Sequence, residues 1–102
     1  MAQILIAEDR AVDRRFLATL LTFHGHGVLE ASDGAEALAI VLSERPHLVI
    51  SDVLMPTMDG YEFVRQMRAI PAVAATPVIF YTATYHEREA RALAERLMSP
   101  KE

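Results

Sequence analysis

With 102 residues, 52% of them hydrophobic and 24% charged, the chain is expected to form one globular domain, residues 1–102, around a single core. No apolar run approaches the ~20 residues that cross a bilayer as a helix, and no basic stretch precedes the first apolar run, so a cytoplasmic chain without membrane span or signal peptide is expected. The lack of cysteine excludes disulfides, thiolate zinc sites and cysteine nucleophiles, and a net charge of -4 with no Lys/Arg stripe argues against direct nucleic-acid binding.

The first apolar run, Ile4-Leu5-Ile6-Ala7, reads as a strand that stops at Glu8-Asp9. From Asp13 to Phe23, apolar residues fall at Phe16, Leu17, Leu20 and Leu21, the spacing of one helical face, and Gly25 supplies the stop. Val28 to Ala31 is a short second strand, and Ser32-Asp33-Gly34 follows as turn and N-cap chemistry. The next helix is expected from about Ala35 to Glu44, burying Leu38, Val41 and Leu42, with Pro46 beyond its end. Leu48 to Ser51 is the third strand, with Asp52 at its exit. Val53 to Met58 reads as a loop stiffened by Pro56, and Asp59-Gly60 opens a helix whose Phe63, Val64 and Met67 share a face. Pro71 and Pro77 bracket an Ala-rich connection to a fourth strand, Val78 to Tyr81, which ends at Thr82. His86 to Leu97 is a last helix with Ala90, Leu93, Ala94 and Leu97 on its inner side.

Strands alternating with helices across short connections predict an α/β fold with a parallel sheet covered on both faces. The carboxyl ends of such strands lie on one edge, which gathers Glu8, Asp9, Asp52 and the Thr82 hydroxyl into one crevice. Carboxylates in that number repel one another unless a cation joins them, and oxygen ligands suit Mg²⁺. An Asp carboxylate is also a competent nucleophile toward phosphorus, forming an acyl phosphate while a metal neutralises the transferring oxygens. The crevice is therefore suited to reversible aspartyl phosphorylation.

Glu8-Asp9, Ser51-Asp52, Met55-Pro56, Asp59-Gly60 and Thr82-Ala83 together resemble the receiver domain of bacterial two-component response regulators. The string Asp52-Val53-Leu54-Met55-Pro56-Thr57-Met58-Asp59-Gly60 is specific to that family, and the resemblance covers essentially the whole chain. It implies a flavodoxin-like (CheY-like) three-layer sandwich with strand order 2-1-3-4. By the same resemblance Asp52 accepts a phosphoryl group from a histidine kinase or phosphotransfer protein. Glu8, Asp9, Asp52 and the main-chain carbonyl of Leu54 hold Mg²⁺, Thr82 is the switch hydroxyl, and Ala83 leaves room for it.

The pattern also departs from the family, whose receivers have five βα units and a lysine after the fifth strand. Here the chain stops at Glu102, Lys101 follows Pro100, and no fifth strand or helix is expected. Strand four then becomes an edge open to another chain, which makes a homodimer through that edge or the last helix an expectation. A competing reading is a truncated or degenerate receiver that works, without phosphorylation, as an interaction or self-association module. A dehalogenase-like phosphatase is disfavoured, because it would want a second Asp where Leu54 stands. His24-Gly25-His26-Gly27 reads as a solvated turn, and with Val28 and Leu29 it lacks the third glycine of a dinucleotide fingerprint. Met55 and Met58 read as packing residues, strand propensity explains Tyr81, and Arg88, Glu89 and Arg91 read as a solvated face.

Overall fold

The unbroken run of buried aliphatic residues from Ile4 to Ala7 makes Gln3–Ala7 a strand covered on both faces, β1, and in the computed structural model it is the strand from which the sheet grows in both directions. The structure describes residues 1–81; Thr82 and the expected helix from His86 to Leu97 lie outside the described residues. After β1 come α1 (Ala11–Phe23), β2 (Gly27–Ala31), α2 (Gly34–Glu44), β3 (Leu48–Asp52), α3 (Gly60–Arg68) and β4 (Val78–Tyr81). All pairings are parallel and the order is β2-β1-β3-β4, as the motif pattern implied. The fourth strand has the expected bounds, and the third runs one residue further, taking Asp52 into the ladder.

Local chemistry explains the helix ends. At the end of α1, Gly25 adopts φ +89, its N–H reaches the Thr22 carbonyl and the His26 N–H reaches Leu21, the paired bonds of a Schellman stop. At the start of α2, Asp33 Oδ1 accepts the Glu36 N–H at 2.8 Å, while the Glu36 carboxylate reaches back to the Ser32 N–H at 2.7 Å. Asp59 caps α3 in the same way, accepting the Glu62 N–H at 2.8 Å.

The main core lies between the sheet and α2/α3. Leu5, Ala7, Ala31 and Val49 from the strands meet Ala37, Val41, Phe63, Met67 and Val73. Phe63 and Met67 are fully buried as their spacing predicted, but Leu42 is not, at 41% exposed. The inner stripe of α2 is Gly34, Ala37 and Val41, and Leu42 is rotated about 100° beyond Val41, out of the contact. On the other face α1 turns Ala18 inward with Leu17 and Leu21 half-buried beside it, so Phe16, expected on the covered side, remains 67% exposed. Ile79 on β4 faces the same way as α1 and is likewise half exposed.

Candidate functional site

Strand register decides which side chains meet. Ala7 lies opposite Ser51, and Asp52 opposite Tyr81, so the residues leaving β1, β3 and β4 reach the same level at the carboxyl edge of the sheet. Alternation then puts Ala7 and Ser51 toward α2/α3 and puts Glu8, Asp52 and Tyr81 toward α1. Ser51 is buried and its hydroxyl donates to the Asp52 carbonyl at 2.9 Å, which occupies a polar group the core would otherwise strand.

Glu8, Asp9 and Asp52 come together as predicted, each offering a carboxylate oxygen within 4.8 Å of the others. Glu8 and Asp52 are fully buried. Two buried oxygens of the cluster, Asp9 Oδ1 and Asp52 Oδ2, have no hydrogen-bond partner among the described residues. The other Asp52 oxygen accepts the Leu54 N–H at 3.4 Å. Burial raises the Asp52 pKa, against the pull of the Leu54 and Val53 N–H groups and with help from the Asp9 charge. Burial likewise pushes Glu8 up to about 7, and the Tyr81 and Arg10 hydrogen bonds offset only part of that rise. Acceptor-rich, donor-poor and desolvated, the cluster fits a hard divalent cation.

The loop after β3 is held close to Asp52. Gly60 donates its N–H to the Val53 carbonyl at 2.9 Å, and a Cβ at Gly60 would stand 2.2 Å from the Asp52 carbonyl oxygen, so only glycine fits there. At the loop tip Met58 N–H meets the Pro56 carbonyl at 2.6 Å around Thr57 at φ 68, a γ-turn of the uncommon hand carried by a β-branched residue. The Leu54 backbone lies beside the cluster, its N–H directed at Asp52 Oδ1.

Two contributors were not read from the sequence as parts of the site. Arg14 donates through Nη1 to the Glu8 carbonyl at 2.8 Å and through Nε to Glu30 Oε1 at 3.1 Å, fixing the strand exit to α1 and β2. The helical step from Arg10 to Arg14 was the available signal, because it aims Arg14 back over the end of β1. The Tyr81 hydroxyl donates to Glu8 Oε1. Of the two histidines in the turn, His26 accepts the Ala2 N–H on Nδ1 at 3.2 Å, a structural tie consistent with the reading of that stretch as a loop. Thr82, the fourth member of the expected crevice, lies outside the described residues.

Comparison with known proteins adds to this geometry. The family model described as the response regulator receiver domain matches residues 4–99. Protein PilH of Pseudomonas aeruginosa is 35% identical over 89 residues, covering 87% of this chain and 74% of PilH. The signal receiver domain of a signal transduction histidine kinase from Syntrophus aciditrophicus superposes with TM-score 0.77 at 35% identity, over 93% of this chain and 72% of that one. The receiver domain of the Pseudomonas aeruginosa sensor kinase PA1611, crystallised with a magnesium ion coordinated in its active site cleft, shares the fold at TM-score 0.76 and 20% identity. That match covers 93% of this chain and 95% of that one. The chain spans about a third of the length of the probable transcriptional regulators it also matches.

Proposed function

Since the chain belongs to the response regulator receiver domain family of two-component signalling, we propose that Asp52 is its phosphoacceptor, supplied by a histidine kinase or phosphotransfer protein. Glu8, Asp9, Asp52 and the Leu54 carbonyl would hold Mg²⁺. The observation that carries this reading is the pair of buried carboxylate oxygens on Asp9 and Asp52, without a hydrogen-bond partner among the described residues, within one acidic cluster. A buried acceptor without a donor is costly, and a site that tolerates two of them side by side is built for a cation.

An Asp52 carboxylate oxygen attacks phosphorus in line with the bond to the donor's histidine nitrogen. The oxygen–phosphorus bond forms, the nitrogen–phosphorus bond breaks, and the imidazole leaves with its electron pair and takes up a proton. When bound, Mg²⁺ supplies neutralisation of charge on the transferring oxygens. The Leu54 N–H, already directed at Asp52 Oδ1, orients the carboxylate for attack. Thr82 is the switch hydroxyl of this reading. The chain consumes its own phosphoryl group in a self-catalysed transfer and hydrolysis and is otherwise not an enzyme. It acts in the cytoplasm on protein partners. A homodimer would use the outer edge of β4 or the last helix, and sedimentation showing monomer alone at high concentration would remove that element.

Incubation with acetyl phosphate and Mg²⁺, followed by intact mass, tests the central step. The native chain should gain one phosphoryl group that is lost in base, and Asp52→Asn should gain none. An unmodified native chain under these conditions overturns the phosphoacceptor assignment.

A further inference from the structure

Glu8 is tied down from three directions. Its Oε2 accepts the Arg10 N–H at 2.8 Å, its main-chain carbonyl accepts Arg14 Nη1 at 2.8 Å, and its Oε1 accepts the Tyr81 hydroxyl. The first two ties come from the chain immediately after β1. The third comes from the last residue of β4, across the width of β3, and is the one that links Glu8 to the far side of the sheet.

Tyr81 is held in place for this contact by groups other than its hydroxyl. Its backbone is locked opposite Asp52, with its carbonyl accepting the Val53 N–H at 3.3 Å. With Asp13, Phe16 and Leu17 of α1, Tyr81 lines a pocket of about 180 Å³. The side chain therefore borders an apolar hollow with Phe16 and Leu17 while its hydroxyl reaches Glu8 in the acidic cluster, the division of labour that suits a half-buried tyrosine.

A phenol is a neutral donor. It satisfies one carboxylate oxygen without bringing a positive charge that competes with a cation for the cluster, and it restricts rotation of the carboxylate about its last torsion. Groups that hydrogen-bond a ligand in this way set its orientation, and their removal costs metal affinity even though they never touch the ion.

Resting on the Mg²⁺ reading of the site given above, we propose that Tyr81 is a positioning residue, whose hydroxyl holds the Glu8 carboxylate in the orientation the cation site requires. The contribution is transmitted through Glu8 Oε1, so it vanishes when Glu8 can no longer serve as the charged acceptor.

Mg²⁺ titration calorimetry on the full chain and on the Y81F, E8Q and Y81F/E8Q variants tests this, with thermal denaturation confirming that each is folded. Tyr81→Phe keeps the ring and deletes only the donor. The expected result is affinity weakened on the order of tenfold by Y81F, with little further loss when Y81F is added to E8Q. The near-ultraviolet tyrosine absorbance should also change on Mg²⁺ addition in the native chain, with that change reduced in Y81F. Unchanged or tighter binding by Y81F, or an equal loss in the E8Q background, overturns the positioning role while leaving the metal site intact. A native chain that takes up no Mg²⁺ overturns the metal-site reading itself, and the role of Tyr81 with it.

Discussion

Asp9 Oδ1 and Asp52 Oδ2 are both buried without a hydrogen-bond partner among the described residues, and they belong to neighbouring carboxylates in one cluster with Glu8. This arrangement is unfavourable by itself, because each group loses water and gains a like-charged neighbour. Mg²⁺ should therefore stabilise the chain by mass action, by about 2.7 kcal/mol at a hundred times its dissociation constant. Asp52→Asn should raise the stability of the metal-free chain by about 1–2 kcal/mol by removing one buried charge, and should largely abolish the gain from Mg²⁺. Urea unfolding with EDTA or excess Mg²⁺ measures both effects.

The same cluster predicts an unusual pH profile. Glu8 sits at about 7 against an ordinary 4.5, and Asp52 is raised as well, both chiefly through burial. A folded-state pKa above the unfolded one means that the native chain binds more protons across that interval, so the protonated Glu8 favours folding and the advantage is lost as pH rises from about 4.5 through about 7. The loss from Glu8 alone should reach at most about 3 kcal/mol. In EDTA the melting temperature should fall between about pH 5 and pH 8, and E8Q should flatten that fall. A melting temperature that climbs over this range in EDTA would contradict the assignment.

The acidic cluster was legible in the sequence because the fold supplies its geometry from simple rules: apolar runs become parallel strands, and parallel strands end on one edge. Glu8, Asp9 and Asp52 follow from that alone, and the strand order follows from the family pattern. Leu42 and Phe16 were harder. A helical repeat shows which residues share a side, but the elements packed on that side decide how wide the buried stripe is, and here small residues at Ala37 and Ala18 take buried positions while Leu42 and Phe16 stay exposed. Tyr81 was read as a strand residue because nothing local reveals the target of its hydroxyl. Its partner Glu8 is 73 residues away in the chain, and only the β1-β3-β4 register brings them together.

Thr57 offers a test of stored strain beside the site. Its φ of 68 puts a β-branched residue in the left-handed region, at the centre of the tight turn closed by Met58 N–H and the Pro56 carbonyl. Backbone strain of this kind costs on the order of 1–3 kcal/mol, and glycine escapes it at the expense of about 0.5–1 kcal/mol in unfolded-chain entropy. Thr57→Gly should therefore stabilise the protein by about 1 kcal/mol, read as a higher urea midpoint with an unchanged slope. A destabilised Thr57→Gly would show that the threonine side chain contributes more than the turn costs.

Two glycines separate conformational strain from steric exclusion. Gly25 needs φ +89 but has open space around the missing Cβ, with nothing within 4 Å. Gly25→Ala should accordingly cost about 1 kcal/mol, the penalty for placing an L-residue in the left-handed conformation of the α1 stop. Gly60 presents the opposite case. An added Cβ would lie 2.2 Å from the Asp52 carbonyl oxygen and 3.1 Å from Ser51 Oγ, and the nearest obstacle is backbone that cannot rotate away. Relief requires α3 to move off the end of β3, which breaks the Gly60 N–H contact with Val53 and shifts the segment that carries Asp52 and Leu54. Gly60→Ala should cost about 2–4 kcal/mol and also weaken Mg²⁺ binding, whereas Gly25→Ala should leave Mg²⁺ affinity unchanged because it lies at the opposite edge of the sheet, near the start of β2. Unfolding curves and Mg²⁺ titrations on the two variants make the comparison, and equal effects on affinity would show that the loop after β3 is not what sets the site.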